Sequence, residues 1–175
     1  MQAALKALNR LVADGVIGDY AIGGAIGASF YMDALQTEDI DAFVFLPVSM
    51  SGLVSLTPIY EALLAQGGIE EREYIRFGDW PLQILTDANT LIAEAIREAH
   101  AVEFGGVSTR VFRAEHLCAI ALQTGRQKDY LRVTMFLEQG SVDLEALRSL
   151  ATRYELTTRL AQVLGRAGGD DAGDR

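Results

Sequence analysis

Cysteine, histidine and positive charge are all scarce in this chain, and each scarcity excludes something. Cys118 is the only cysteine, so no internal disulfide can form. Its setting, His-Leu-Cys-Ala-Ile-Ala-Leu, points to a buried thiol in a reducing cytosol. The two histidines, His100 and His116, have no ligand-spaced partner and read as structural. Fifteen basic residues against 24 acidic ones leave a net charge of −9. That argues against strong nonspecific affinity for nucleic acid or an anionic membrane, though not against a local basic patch. No apolar run approaches the ~20 residues that span a bilayer, so no membrane partner is expected. Lys6 and Arg10 are spread over an amphipathic pattern instead of preceding an apolar stretch. No signal peptide is therefore expected, and the location expected is the cytoplasm. There is no internal repeat and no linker that would separate two full domains.

What is present is ordinary globular composition: 50% hydrophobic and 22% charged residues in 175, enough for one full core or for a domain with a small helical appendage. Leu5, Leu8, Leu11 and Val12 recur at helical spacing and predict a helix over 1–16 ending at Gly15. Strands are predicted at Tyr20–Ile22, Ile40–Leu46, Glu70–Phe77 and Pro81–Leu85, with a hairpin at Ala101–Phe104 and Thr109–Phe112. Helices are predicted at Ala25–Leu35, Leu53–Leu64 and Ala88–Ala99. In the 70–77 strand, Glu71, Glu73 and Ile75 would share one face and Arg72, Tyr74 and Arg76 the other. From Ala114 the pattern turns helical: Glu115–Gln123, Gln127–Glu138, Leu144–Tyr154 capped by Asp143, and Thr157–Leu164. The fold class is α/β (α+β): a mixed sheet with flanking helices over 1–113, a helical part over 114–164, and a Gly/Asp-rich tail over 165–175 expected to be disordered. Apolar residues on the first helix and the 53–64 helix would allow a homodimer or a protein partner.

The most informative stretch runs from Asp19 to Leu46. It reads as a strand, the turn Gly23-Gly24, a helix, and a strand carrying Asp39 and Asp41. Side chains two apart in a strand share a face, so the two carboxylates lie side by side and repel. A pair of that kind facing a cavity calls for a hard cation such as Mg²⁺ or Mn²⁺. The plainer reading is two exposed acids at a strand end, but Ile40 and Phe43–Leu46 make this a core strand. Gly23-Gly24 serves either a tight turn or a phosphate at the next helix start. Asp129 either favours the dipole of the helix it begins or acts in chemistry with Lys128. Arg126, Lys128 and Arg132 form a small basic cluster that reads as a solvated face.

Gly23-Gly24 followed by Thr-Glu-Asp-Ile-Asp (Thr37–Asp41) resembles the nucleotidyltransferase fold of the DNA polymerase β superfamily, closest to small standalone bacterial members of the AbiEii kind. The segment Val111–Val133, with its Gly125-Arg126 turn and Lys128-Asp129 pair, is similar to the family's C-terminal element. The resemblance covers roughly residues 16–138. It implies that Asp39 and Asp41 bind divalent metal and catalyse attack on the α-phosphate of a nucleoside triphosphate (NTP). It further implies that Gly23, Gly24 and Lys128 bind the NTP, and that Asp129 orients or deprotonates an acceptor hydroxyl; the scarcity of basic groups favours a protein or small-molecule acceptor over RNA. The sequence departs from the family at three positions. Gln83 stands where many members carry a third carboxylate, with Asp87 a candidate substitute, and Leu35 and Ala121 replace an Arg and a Lys. These departures motivate a second reading, a binding or regulatory protein on a degraded site. Family analogy adds a toxin–antitoxin component.

Overall fold

Each central strand alternates between two faces, and the two faces meet different partners. The computed structural model describes residues 1–32, 37, 39–46 and 55–167. Its strands are β1 (Asp19–Ile22), β2 (Ile40–Phe45), β3 (Ile69–Glu71), β4 (Tyr74–Phe77), β5 (Trp80–Thr86), β6 (His100–Phe104) and β7 (Val107–Val111). They form one mixed seven-stranded sheet in the order β3-β4-β5-β2-β1-β7-β6. β2 runs antiparallel to β1 and parallel to β5, and β1 runs parallel to β7.

Tyr20, Ile22, Ile40, Ala42, Val44, Leu82 and Ile84 point to one face. There they meet the helices α1 (Gln2–Ala13) and α3 (Thr57–Ala65). Leu5, Leu8 and Leu11 of α1 are essentially fully buried in this layer, each worth ~1.5–3 kcal/mol of transfer free energy. Leu5, Leu8 and Leu11 of the first helix are therefore packed against the sheet. On the 53–64 helix Ile59 and Leu63 are likewise buried, and Leu64 remains 38% exposed.

Ala21, Phe43 and Phe112 lie on the opposite face with α4 (Thr90–Arg97), α5 (Ala114–Thr124), α6 (Gln127–Glu138), α7 (Leu144–Arg153) and α8 (Thr157–Ala167). Cys118 is fully buried there, and burial pushes its thiol pKa up, so it stays protonated. Asp143 caps α7 as the sequence predicts, its carboxylate accepting from the N–H groups of Glu145 and Ala146.

Two predicted elements change. The 70–77 strand is a hairpin, in which Glu71 pairs with Tyr74 across a turn at Arg72-Glu73 and Arg72 takes the left-handed conformation at φ 58°. The polar alternation continues through the turn, which hides it. The helix after Gly23 is only α2 (Gly24–Ala28), and residues 29–32 continue as turns. Leu35, Leu53 and the 168–175 part of the tail lie outside the described residues. Among those described, no helix is long and apolar enough to cross a membrane.

Candidate active site

Because Ile40, Ala42 and Val44 face α1 and α3, period two sends Asp39, Asp41, Phe43 and Phe45 to the other face. Gln83 and Leu85 of β5 follow them, with Gln83 the register partner of Asp41. At this end of the sheet the face is open, and a cavity of about 1170 Å³ separates it from α5 and α6. Asp39, Asp41, Gly24, Tyr74 and Gln83 line the sheet side, and Arg126, Lys128, Asp129 and Arg132 the helix side.

Two glycines support the carboxylates differently. The Gly23 N–H donates to the Asp41 carbonyl at 2.9 Å. A Cβ on Gly23 would stand 2.6 Å from the Phe43 ring and 2.9 Å from that of Phe112, so this glycine serves aromatic packing. Gly23 is not among the residues lining the cavity, whereas Gly24 is. Gly24 has φ +56°, and a Cβ there would overlap the Asp41 carboxylate. Asp41 thus lies directly against the Gly24 backbone. Burial, then the neighbouring Asp39 charge, raise the Asp41 pKa above the usual carboxylate value. Arg132, Lys128 and Arg126 pull it back. Asp39 is held by Thr37, whose hydroxyl donates to both its carbonyl and its Oδ1 at 3.2 Å. Two adjacent hard carboxylates, one of them desolvated, form a donor set that suits a small divalent cation.

The opposite wall begins where α5 ends at Gly125, left-handed at φ 72°. Asp129, 1% exposed, accepts from the Arg126 backbone N–H at 3.2 Å and from the guanidinium at 2.7 and 3.2 Å. Its two oxygens are therefore committed to Arg126. Arg132 follows one turn later, with Nη1 4.0 Å from Asp129 and a buried Nε that has no hydrogen-bond partner among the described residues. The basic cluster read as a solvated face instead confronts the carboxylates. The sequence showed the cluster, but not what it meets.

The cavity continues past β5 to an apolar wall of Leu85, Ile92 and Ile120 with two amides on it. Asn89 caps α4 by accepting from the Ile92 N–H, which leaves its amide nitrogen to donate to Gln123 Oε1 at 2.9 Å. Ala121 lines the same space. Asp87 is not among the described residues lining it.

A second cluster lies outside the cavity. Donor atoms of Glu94, Glu98 and His116 fall within 4.8 Å of one another, which gives His116 the neighbours that sequence spacing did not reveal. Glu94 is already engaged by Arg153 through two 2.7 Å bonds and by the Tyr154 hydroxyl at 2.6 Å. The arrangement reads as an ion-paired clasp between α4 and α7.

The fold is nucleotidyltransferase-like. A crystal structure of an antigenic nucleotidyltransferase-like protein from Paracoccidioides brasiliensis matches at a TM-score of 0.55 and 13% identity, over 94% of this chain and 91% of that one. The solution structure of the antibiotic-resistance factor ANT(2'')-Ia matches at 0.49 and 17% identity, over 96% and 97%. The crystal structure of ANT(2'')-Ia with adenylyl-2''-tobramycin matches at 0.44 and 17%, over 94% and 98%. No protein-family model and no curated protein matches the sequence.

Proposed function

We propose that this protein is a metal-dependent nucleotidyltransferase, moving a nucleoside monophosphate from an NTP to a hydroxyl acceptor. The observation that carries this reading is the opposition of Asp39 and Asp41 to Arg126, Lys128 and Arg132 across one cavity. Asp39 and Asp41 would hold Mg²⁺ or Mn²⁺, which when bound offsets charge on the phosphates and the leaving pyrophosphate. Gly24, lacking a side chain, leaves Asp41 room at the cavity wall. Lys128 and the two arginines receive phosphate oxygens, arginine through a planar fork that matches them. Asp129 fixes Arg126 by accepting three of its hydrogen bonds, which makes it a positioning residue in this reading rather than a base for the acceptor. The apolar wall and the Asn89–Gln123 amides offer a surface for the nucleobase. A volume above the usual ~300–1,000 Å³ of small-molecule clefts leaves space for an acceptor as well. The −9 net charge favours a small molecule or protein acceptor over RNA.

Calorimetric titration of ATP, GTP, CTP and UTP with Mg²⁺ tests the reading. Wild type should bind at least one NTP in a metal-dependent way and Asp41→Ala none, and equal binding by both would sink it. The second reading, a binding or regulatory protein on a degraded site, draws on neutral Gln83 beside Asp41. It expects no pyrophosphate release with any NTP, but a stable oligomer or complex with a protein partner. The AbiEii-like kinship and a toxin–antitoxin role rest on resemblance alone. Growth arrest on expression, lost in Asp39→Ala, is their test.

A further inference from the structure

We propose that the site takes a single divalent ion, held by Asp39 and Asp41, and that Arg132 supplies in fixed form the positive charge a second ion would bring. This rests on the nucleotidyltransferase reading above. Paired metal ions stand ~3.5–4 Å apart and survive their mutual repulsion only where several carboxylates bridge and flank them. Here the supply is short. Among the described residues, the carboxylates lining the cavity are Asp39, Asp41 and Asp129. Asp129 sits on the far wall with both oxygens taken by Arg126.

The position best placed to add a ligand is Gln83, since β5 runs parallel to β2 and Gln83 is the register partner of Asp41. Leu82 and Ile84 point to the other layer, so Gln83 shares the face of Asp41 and lines the cavity. Its carboxamide carries no charge and offers one weakly ligating oxygen. Two carboxylates completed by substrate phosphates and water are what one Mg²⁺ ordinarily takes from a protein.

Arg132 is the complementary half. Of the three cations facing Asp41 it acts on that carboxylate most strongly. Its Asp129 partner is distant at 4.0 Å, and its buried Nε has no hydrogen-bond partner among the described residues. The guanidinium nonetheless lines the cavity with its side chain 18% exposed, and a phosphate oxygen entering there would accept from its Nη groups. The same charge would repel a second dication at that place.

The experiment is Mn²⁺ electron paramagnetic resonance on the full chain with a non-hydrolysable NTP analogue, beside calorimetry of the same mixtures. Wild type should give the spectrum of an isolated bound Mn²⁺. Gln83→Asp or Gln83→Glu, whichever keeps the wild-type melting temperature, should give an exchange-coupled pair. Arg132→Gln should keep the isolated-ion spectrum and weaken analogue binding on the order of tenfold to a hundredfold, the range for a charged hydrogen bond. An exchange-coupled pair in wild type, or unchanged analogue affinity in Arg132→Gln, overturns the single-ion proposal and leaves the nucleotidyltransferase reading standing. Absence of both Mn²⁺ and analogue binding overturns both.

Discussion

Replacing Gly24 by alanine asks whether the Asp41 carboxylate truly rests on the backbone of the turn after β1. Alanine at φ +56° pays ~1–2 kcal/mol for a left-handed conformation. Its Cβ would also overlap the Asp41 carboxylate, and forcing half-buried groups apart adds a further ~1–3 kcal/mol. Gly78→Ala is the control. Its φ is +61°, but nothing lies within 4 Å of the added Cβ, so it pays the backbone cost alone. For a chain of this length 1 kcal/mol moves Tm by roughly 2–4 °C. The control should therefore fall by roughly 2–8 °C and Gly24→Ala further. Because the displaced group is a proposed ligand, Mn²⁺ affinity should also drop roughly 10–100-fold in Gly24→Ala alone, the usual effect of disturbing a ligand's support. Differential scanning calorimetry and Mn²⁺ titration read the two effects. Equal melting and equal Mn²⁺ affinity in the two variants would refute the contact and the reasoning from it.

Leu8→Ala on α1 should cost ~2–5 kcal/mol in urea unfolding, since Leu8 is fully buried against the sheet. A loss below 1 kcal/mol, on the same scale, would mean that α1 packs elsewhere. Glu94 and His116 should make the fold acid-sensitive. Burial alone would raise the Glu94 pKa, but the Tyr154 hydroxyl and Arg153 outweigh it and bring it below its ordinary value. That contribution is present above the unfolded value of about 4.3 and lost as pH falls through the folded one. Burial lowers the His116 pKa, so protons taken up by the unfolded chain below about pH 6.5 also disfavour the fold. Glu94→Gln should accordingly lower Tm at pH 7 and shrink the Tm difference between pH 7 and pH 3. An unchanged difference counts against the clasp.

Local signals carried the α6 limits, the Asp143 cap and the strand bearing Asp39 and Asp41, because each is written in neighbouring residues. The Arg72-Glu73 turn was not legible, since it lacks the Gly or Asn that left-handed turns usually announce. The site was half legible for the same reason. Period two placed the carboxylates on one face, but only the folded chain brings Arg132 opposite Asp41. Asn89 and Gln123 are 34 residues apart, and Glu94 and His116 are 22 apart, distances at which sequence spacing says nothing. Gly23 and Gly24 look alike in sequence, yet one accommodates two aromatic rings and the other a carboxylate.

The clasp on Glu94 has a reach beyond its own contacts. α4 shows one side to the cavity through Ile92 and with the other grips Arg153 of α7 and Tyr154, which caps that helix. α7 packs on α5 and α8, and α8 packs on α6, which carries Arg126, Lys128 and Arg132. Through these contacts the clasp braces, from outside the cavity, the helices that carry the cations facing the carboxylates. On the proposed function, Arg153→Ala should therefore weaken NTP binding in calorimetry although Arg153 does not line the cavity.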